Sequence, residues 1–269
     1  MIQTIITDCD DTLLREDGTL SAYTVNVINR VQAKGVRVIL ASGRARASLL
    51  PIMKALGLTG PYIACNGSFT ADAGTGEVFE ALYLPVDDAK RCARFYEDND
   101  MYAQFYIGDL FFYNKKNAYN RYYTRGTGLK GVYAGELSAA INEPIAKLLG
   151  IDEPNKITQA YHQAVVCLSG IASVVISRSN FLEMEPVGAT KGEALARLAR
   201  RLGIDPQTTI AFGDGINDMT MIQWAGYGVA VENAREEVRA CARYICPPNT
   251  QDGVARMIEE LVLKEGTHD

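Results

Sequence analysis

Ile2-Gln3-Thr4-Ile5-Ile6-Thr7-Asp8-Cys9-Asp10-Asp11-Thr12 opens the chain with a β-branched apolar run that stops abruptly on carboxylates. Such a run predicts a buried strand, and the acids that follow it fall at the strand's carboxyl end. Outward from this strand, Ser21 to Lys34 reads as a helix with Val27, Ile28 and Val31 on its inward face, ended by Gly35. Val36 to Ala41 is a second strand, Ala45 to Leu56 a helix stopped by Gly57, and Tyr62 to Cys65 a third strand. Strands alternating with helices imply a parallel sheet covered on both faces.

The alternation breaks at Asn66-Gly67. Short strands flank the turn Ala73 to Gly76, Asp87 to about Asp98 reads as a helix, and Gly108-Asp109 and Ser179-Asn180 each join two strand-like runs as hairpin turns. It resumes with a helix from Lys191 to Leu202 bearing Leu195, Leu198 and Leu202, then strand Thr209 to Phe212, helix Met219 to Trp224, strand Gly228 to Val231 and helix Gly253 to Leu263. The expected architecture is a doubly wound α/β core, residues 1–83 and 187–269, interrupted by an α+β insertion over 84–186.

Composition narrows the chemistry. At 269 residues and 48% hydrophobic, the chain can bury a large core, and its longest apolar runs are far short of the roughly 18 residues of a membrane span. No basic and apolar leader precedes Asp8, so a cytoplasmic address is expected. Six dispersed cysteines read as reduced thiols. The two histidines, His162 and His268, leave little room for a histidine-based triad or a H-E-x-x-H zinc site. A net charge of −5 argues against a polyanion-binding chain, so no nucleic acid is expected as a partner.

Two acidic loops follow two core strands: Asp8-x-Asp10-x-Thr12 and Gly213-Asp214-x-x-Asn217-Asp218. With each fixed residue at roughly one in twenty, the two patterns coincide by chance in about one chain in twenty thousand of this length. Clustered carboxylates repel one another unless a cation compensates, and hard oxygen ligands favour Mg²⁺. Ser42-Gly43-Arg44 ends the second strand and is expected to open a helix, where hydroxyl and backbone N–H groups can hold an anion. Lys191 at a helix start is electrostatically misplaced unless a phosphate lies there.

In that order, Asp8-x-Asp10-x-Thr12, Ser42, Lys191 and Gly213-Asp214-x-x-Asn217-Asp218 resemble the four motifs of the haloacid dehalogenase superfamily, and most of all its Cof-like phosphatases with an α/β cap. Cys65-Asn66-Gly67-Ser68, Gly228 to Ala234 and Asn249 to Ala255 extend the resemblance over the core, whereas 84–186 matches in placement rather than in sequence. Asp11 stands where glycine is commonest, and Gly215-Ile216 replaces a more usual Gly-Glu or Ala-Glu.

The resemblance implies a Mg²⁺-dependent phosphatase of a small phosphorylated metabolite, a sugar phosphate or a flavin or nucleotide-type phosphomonoester. It implies Asp8 as nucleophile and Asp10 as acid and base. Mg²⁺ is then held by Asp8, the Asp10 backbone carbonyl and Asp214, with Asp218 set against those ligands, and the phosphoryl group by Ser42, Gly43, Arg44, Lys191 and Asn217. Three alternatives stay open at this point: a sugar-phosphate mutase, a phospho-ligand sensor, and a single-stranded RNA binder using the basic, tyrosine-rich stretch 111–131. Gly126-x-Gly-x-x-Gly131 within that stretch matches a dinucleotide fingerprint in letters, but no β-α-β unit surrounds it, and a glycine-rich loop is expected.

Overall fold

A computed structural model describes residues 1–264, so His268 lies outside the described residues. The described chain forms two compact units. One comprises Met1–Gly43, Leu49–Phe79 and the described residues from Thr190 onward; the other comprises Arg44–Ser48 and Glu80–Ala189.

The first unit is built on an eight-stranded sheet. In chain order its strands are β1 (Thr4–Thr7), β2 (Arg37–Ala41), β3 (Pro61–Ala64), β4 (Phe69–Asp72) and β5 (Val78–Ala81) and, after the six strands of the second unit, β12 (Thr209–Gly213), β13 (Tyr227–Val231) and β14 (Tyr244–Cys246). Their spatial order is β14-β13-β12-β1-β2-β3-β4-β5. The pairs from β14 through β3 are parallel, and β4 turns back antiparallel on β3.

Alternation along the central strands explains why both faces are covered. Ile5, Val38 and Ile210 share one register row and join the apolar cluster on one face; Ile6, Ile39 and Ala211, one residue on, join the cluster on the other with Leu195 and Leu198. The chain leaves β1 toward β2 on one side and β12 toward β13 on the other. Strand order therefore switches between β1 and β12, the place at whose carboxyl ends open α/β sheets bind ligands.

The second unit holds β6 (Tyr102–Ile107), β7 (Leu110–Tyr113), β8 (Lys130–Tyr133), β9 (Leu148–Ile151), β10 (Ser173–Arg178) and β11 (Phe181–Glu185), in the order β10-β11-β9-β6-β7-β8. Gly108-Asp109 and Ser179-Asn180 are hairpin turns, as their composition predicts. Ala103, Phe105, Leu148, Leu182 and Met184 pack with Ala89, Cys92, Ala93 and Tyr96 of helix Val86–Asp98 and with Ile157, Ala160 and Ala164 of helix Pro154–Cys167. His162 lies on that second helix, exposed, with its ring edge-on to Tyr161.

Two sequence expectations are corrected here. Gly126 to Gly131 is not a loop. Helix Ala118–Thr127 runs through Gly126 to a left-handed cap at Gly128, and β8 then begins at Lys130. The order is helix then strand, the reverse of a dinucleotide-binding turn. The second correction concerns Ser42, which does not open a helix, since the next one begins at Arg46. Its main chain instead continues the ladder between β2 and β3: Ser42 N–H donates to Ile63 O at 2.9 Å, and Asn66 N–H donates to Ser42 O at 3.0 Å.

Candidate active site

Asp8 follows β1 directly, and its N–H donates to Phe212 O at 3.0 Å, so the sheet ladder fixes its backbone. The chain then turns sharply through Asp10, which keeps extended angles, and Asp11, which adopts φ +60°. A left-handed aspartate is tolerated where glycine would be easier, because its short polar side chain suits that region. The turn is held from outside. Asn233 Nδ2 donates to Asp11 O at 2.7 Å, Asn249 Nδ2 donates to Leu14 O at 2.9 Å, and Asn249 N–H donates to Asn233 Oδ1 at 3.0 Å.

Asp214 follows β12, the strand beside β1. Thr12 Oγ1 donates to Asp214 Oδ1 at 2.6 Å, which ties the two acidic loops together. Asp218 turns back on its own loop: Asp214 N–H and Gly215 N–H donate to Asp218 Oδ2 at 3.0 and 2.9 Å. Its other oxygen, Oδ1, accepts from Lys191 Nζ at 2.6 Å, and Lys191 Nζ also donates to Asp8 Oδ1 at 2.6 Å.

Lys191 is the first residue of helix Lys191–Leu202, whose N-cap Thr190 hydroxyl accepts from Glu193 N–H. Burying an ammonium at a helix N-terminus is unfavourable on its own. Here Asp8 and Asp218 compensate. Burial alone would lower the Lys191 pKa, but the carboxylates of Asp218 and Asp8 outweigh it and hold the ammonium above its ordinary value.

The acids respond in the opposite sense. Burial pushes Asp8 well above the usual carboxylate range against the opposing charge of Lys191, with Asp218, Asp214 and Asp10 adding repulsion. Asp214 is pushed up to about 7 by burial and then by Asp218, with the Thr12 hydroxyl working against the rise. Were Asp8, Asp214 and Asp218 all ionised, they would carry more negative charge than the one Lys191 ammonium neutralises, which burial and mutual repulsion both oppose.

Carboxylate oxygens of Asp8, Asp214 and Asp218 lie within 4.8 Å of one another. Hard oxygen donors gathered in this way suit a divalent cation. Asp10 is half-buried on the same turn, and Ser42 is buried at the end of β2. Asn217 reaches across from the Asp214 loop to the turn after β3, its Nδ2 donating to Asn66 Oδ1 at 2.8 Å. Arg44 groups with the second unit. Sequence reasoning gave no role to Asn66, Asn233 or Asn249. The sequence signal for them was that each lies in a stretch that extends the family resemblance, two or three residues after β3, β13 or β14.

The basic stretch 111–131 is engaged within its own unit in part, with Arg121, Arg125 and Lys130 exposed. Tyr113 and Tyr123 are buried, Tyr106 Oη donates to Tyr123 Oη at 2.6 Å, Lys115 pairs with Asp100, and Lys116 lies over the Tyr133 ring. Among the described residues no helix is long and apolar enough to cross a membrane.

The family model for haloacid dehalogenase-like hydrolases matches residues 5–258. The chain is 27% identical to the pyridoxal phosphate phosphatase YbhA of Escherichia coli, covering 94% of this chain and 96% of the relative. It is 29% identical to the 5-amino-6-(5-phospho-D-ribitylamino)uracil phosphatase YcsE of Bacillus subtilis, over 97% and 96% of the two chains. A crystal structure of a haloacid dehalogenase-like hydrolase from Bacteroides thetaiotaomicron superposes with a TM-score of 0.87 at 28% identity, over 97% of this chain and 100% of that one. With carboxylates and a lysine gathered at the switch in strand order between β1 and β12, the chain belongs to the haloacid dehalogenase-like hydrolases and is a phosphoric monoester hydrolase.

Proposed function

We propose that the protein is a Mg²⁺-dependent phosphatase of a small phosphorylated metabolite, acting through an aspartyl-phosphate on Asp8. The observation that carries this reading is the Lys191 ammonium 2.6 Å from both Asp8 and Asp218, with Asp214 in the same cluster. A nucleophilic carboxylate must meet a phosphate dianion, and the two repel, so the site has to concentrate positive charge. Asp8, Asp214 and the Asp10 backbone carbonyl would hold the cation, with Asp218 orienting the loop. When bound, the cation offsets the charge of the carboxylates and of the phosphoryl oxygens.

The chain's own residues then divide the work. An Asp8 carboxylate oxygen attacks phosphorus in line while the bond to the leaving oxygen breaks, and Asp10 gives that oxygen its proton. Asp10 next takes a proton from water, whose oxygen attacks phosphorus, and the bond to Asp8 breaks to release inorganic phosphate. Ser42, Gly43, Arg44, Lys191 and Asn217 hold the phosphoryl oxygens. A carboxylate nucleophile paired with a carboxyl acid leaves histidine dispensable.

The relatives that act on pyridoxal phosphate and on a phosphoribityl-uracil support a substrate that is a small phosphomonoester, a sugar phosphate or a flavin or nucleotide-type compound. Choice among them is assigned to the insertion 84–186, because the core motifs address only the phosphoryl group and metal that all such esters share. The test is release of phosphate from an aryl phosphate. Activity should vanish in EDTA, return with Mg²⁺, and leave acid-quenched protein labelled at Asp8 when the phosphoryl group carries a radiolabel. Undiminished turnover in EDTA sinks the metal assignment, and transfer of phosphate to a second position on a sugar in place of water identifies a mutase.

A further inference from the structure

Cys65, Asn66 and Gly67 form a turn after β3 in which all three residues take positive φ, +48°, +50° and +113°. A run of this kind is costly for side-chain-bearing residues and persists only where the surroundings fix it. The surroundings here are three separate segments of the site. Asn66 N–H donates to Ser42 O at 3.0 Å, so the turn is tied to the loop after β2. A Cβ on Gly43 would lie 2.9 Å from Asn66 Oδ1, so the amide is packed flat on the Gly43 main chain. A Cβ on Gly67 would come 2.4 Å from Thr190 O, so only glycine lets the turn approach the N-cap of the Lys191 helix. The Asn66 carboxamide itself accepts from Asn217 Nδ2 at 2.8 Å, across 151 residues of sequence, and Asn66 is 2% exposed.

From this junction we infer that Asn66 is a positioning residue for phosphoryl binding: its Oδ1 sets which way the Asn217 carboxamide faces. An amide can rotate to present either oxygen or nitrogen, and only the nitrogen side offers donors to a phosphate. With one Asn217 N–H spent on Asn66, the Asn217 rotamer is fixed and its second N–H points along a defined direction. Asn66 therefore acts on the substrate through Asn217, at no cost in added charge. The inference rests on the reading of Asn217 as a phosphoryl ligand, and the experiment separates the two.

The experiment is a double-mutant cycle read as the inhibition constant of inorganic phosphate and as KM and kcat on an aryl phosphate. N66G keeps the main chain, since glycine accepts φ +50° readily, and deletes only the amide. N217A and N66G should each weaken phosphate binding by roughly tenfold, mainly in KM, and the double variant should be no worse than either. In the N66D background, where an acceptor oxygen remains, adding N217A should again weaken binding. N66S, with a hydroxyl too short to reach Asn217, enters the same cycle if N66G does not fold, and the same coupling is required of it. Multiplying effects in the double variant, or wild-type inhibition in N66G, overturn the role of Asn66. Wild-type inhibition in N217A instead overturns the assignment of Asn217, and the inference with it.

Discussion

Lys191 in the first unit and Lys147 in the second are both fully buried, and both donate to carboxylates, yet they solve different problems. Lys147 Nζ donates to Glu183 Oε2 at 2.9 Å, the Ser177 hydroxyl donates to Glu183 Oε1 at 2.7 Å, and the ammonium lies 5.5 Å from the Tyr106 ring. There a buried cation meets a buried carboxylate, with a hydroxyl and an aromatic ring beside them. Lys191 faces Asp8 and Asp218 with Asp214 close behind. Lys147 and its partners Ser177 and Glu183 join neighbouring segments of one sheet, whereas Lys191 sits among three carboxylates, a setting that favours charge from outside.

The largest expected effect tests the Lys191 side. Asp8→Asn removes the proposed nucleophile while keeping its shape, and turnover should fall by on the order of 10⁴-fold or more. The same change relieves repulsion, so the metal-free variant should melt at a higher temperature than the metal-free wild type. Calorimetry in EDTA beside an aryl-phosphate assay reads both, and a variant that keeps near wild-type rates refutes covalent catalysis at Asp8.

Lys147→Ala should do the converse. It leaves Glu183 buried without its cation and is expected to cost about 3–5 kcal/mol of stability, whereas Lys147→Met with Glu183→Leu should recover most of that loss. If the single variant melts like the wild type, the pair does not carry the structural role assigned to it.

A pH dependence sharpens the contrast further. Asp214 is pushed up to about 7 from an ordinary 3.8, so the metal-free fold binds more protons there than the unfolded chain does. The stability this contributes is present below 3.8 and lost as pH rises through about 7. Divalent-cation affinity should run the other way and strengthen over the same window, because the metal binds the deprotonated carboxylates. Melting of the metal-free wild type should therefore fall more steeply with pH than that of Asp214→Asn, and calorimetric metal titrations near pH 6 should release protons. Equal pH slopes would show that Asp214 does not carry the effect.

The smallest effect on aryl-phosphate turnover is expected from alanine substitutions in residues 84–186, which should reorder a panel of phosphorylated metabolites by kcat/KM while leaving the aryl ester nearly untouched. An unchanged ranking places specificity in the core.

The β-branched run ending at Asp8, the leucine spacing after Lys191, and the turns Gly108-Asp109 and Ser179-Asn180 were legible because strand periodicity, helix periodicity and turn chemistry are local properties of the chain. Helix Pro154–Cys167 carries no such signal of comparable strength, since its buried stripe is Ile157, Ala160 and Ala164 and two of those are alanines. Helix Ala118–Thr127 was hidden by its tyrosines and glycine, although Asn117 and Asn120 form a capping box at its start. Leu148–Ile151 is fully buried between β6 and β11, and a four-residue apolar run is too short to reveal its period.

By itself the sequence determined the identities and order of the acidic loops, Ser42 and Lys191, and that order was enough to point to the family. Only the tertiary structure decided how charge is shared among them. That Lys191 bridges Asp8 and Asp218, that Thr12 holds Asp214, and that Asn66 meets Asn217 across 151 residues all depend on which strands lie side by side. Coulomb and hydrogen-bond energies fall off over a few ångströms, and distances that short between remote residues are set by strand order and burial rather than by neighbours along the chain.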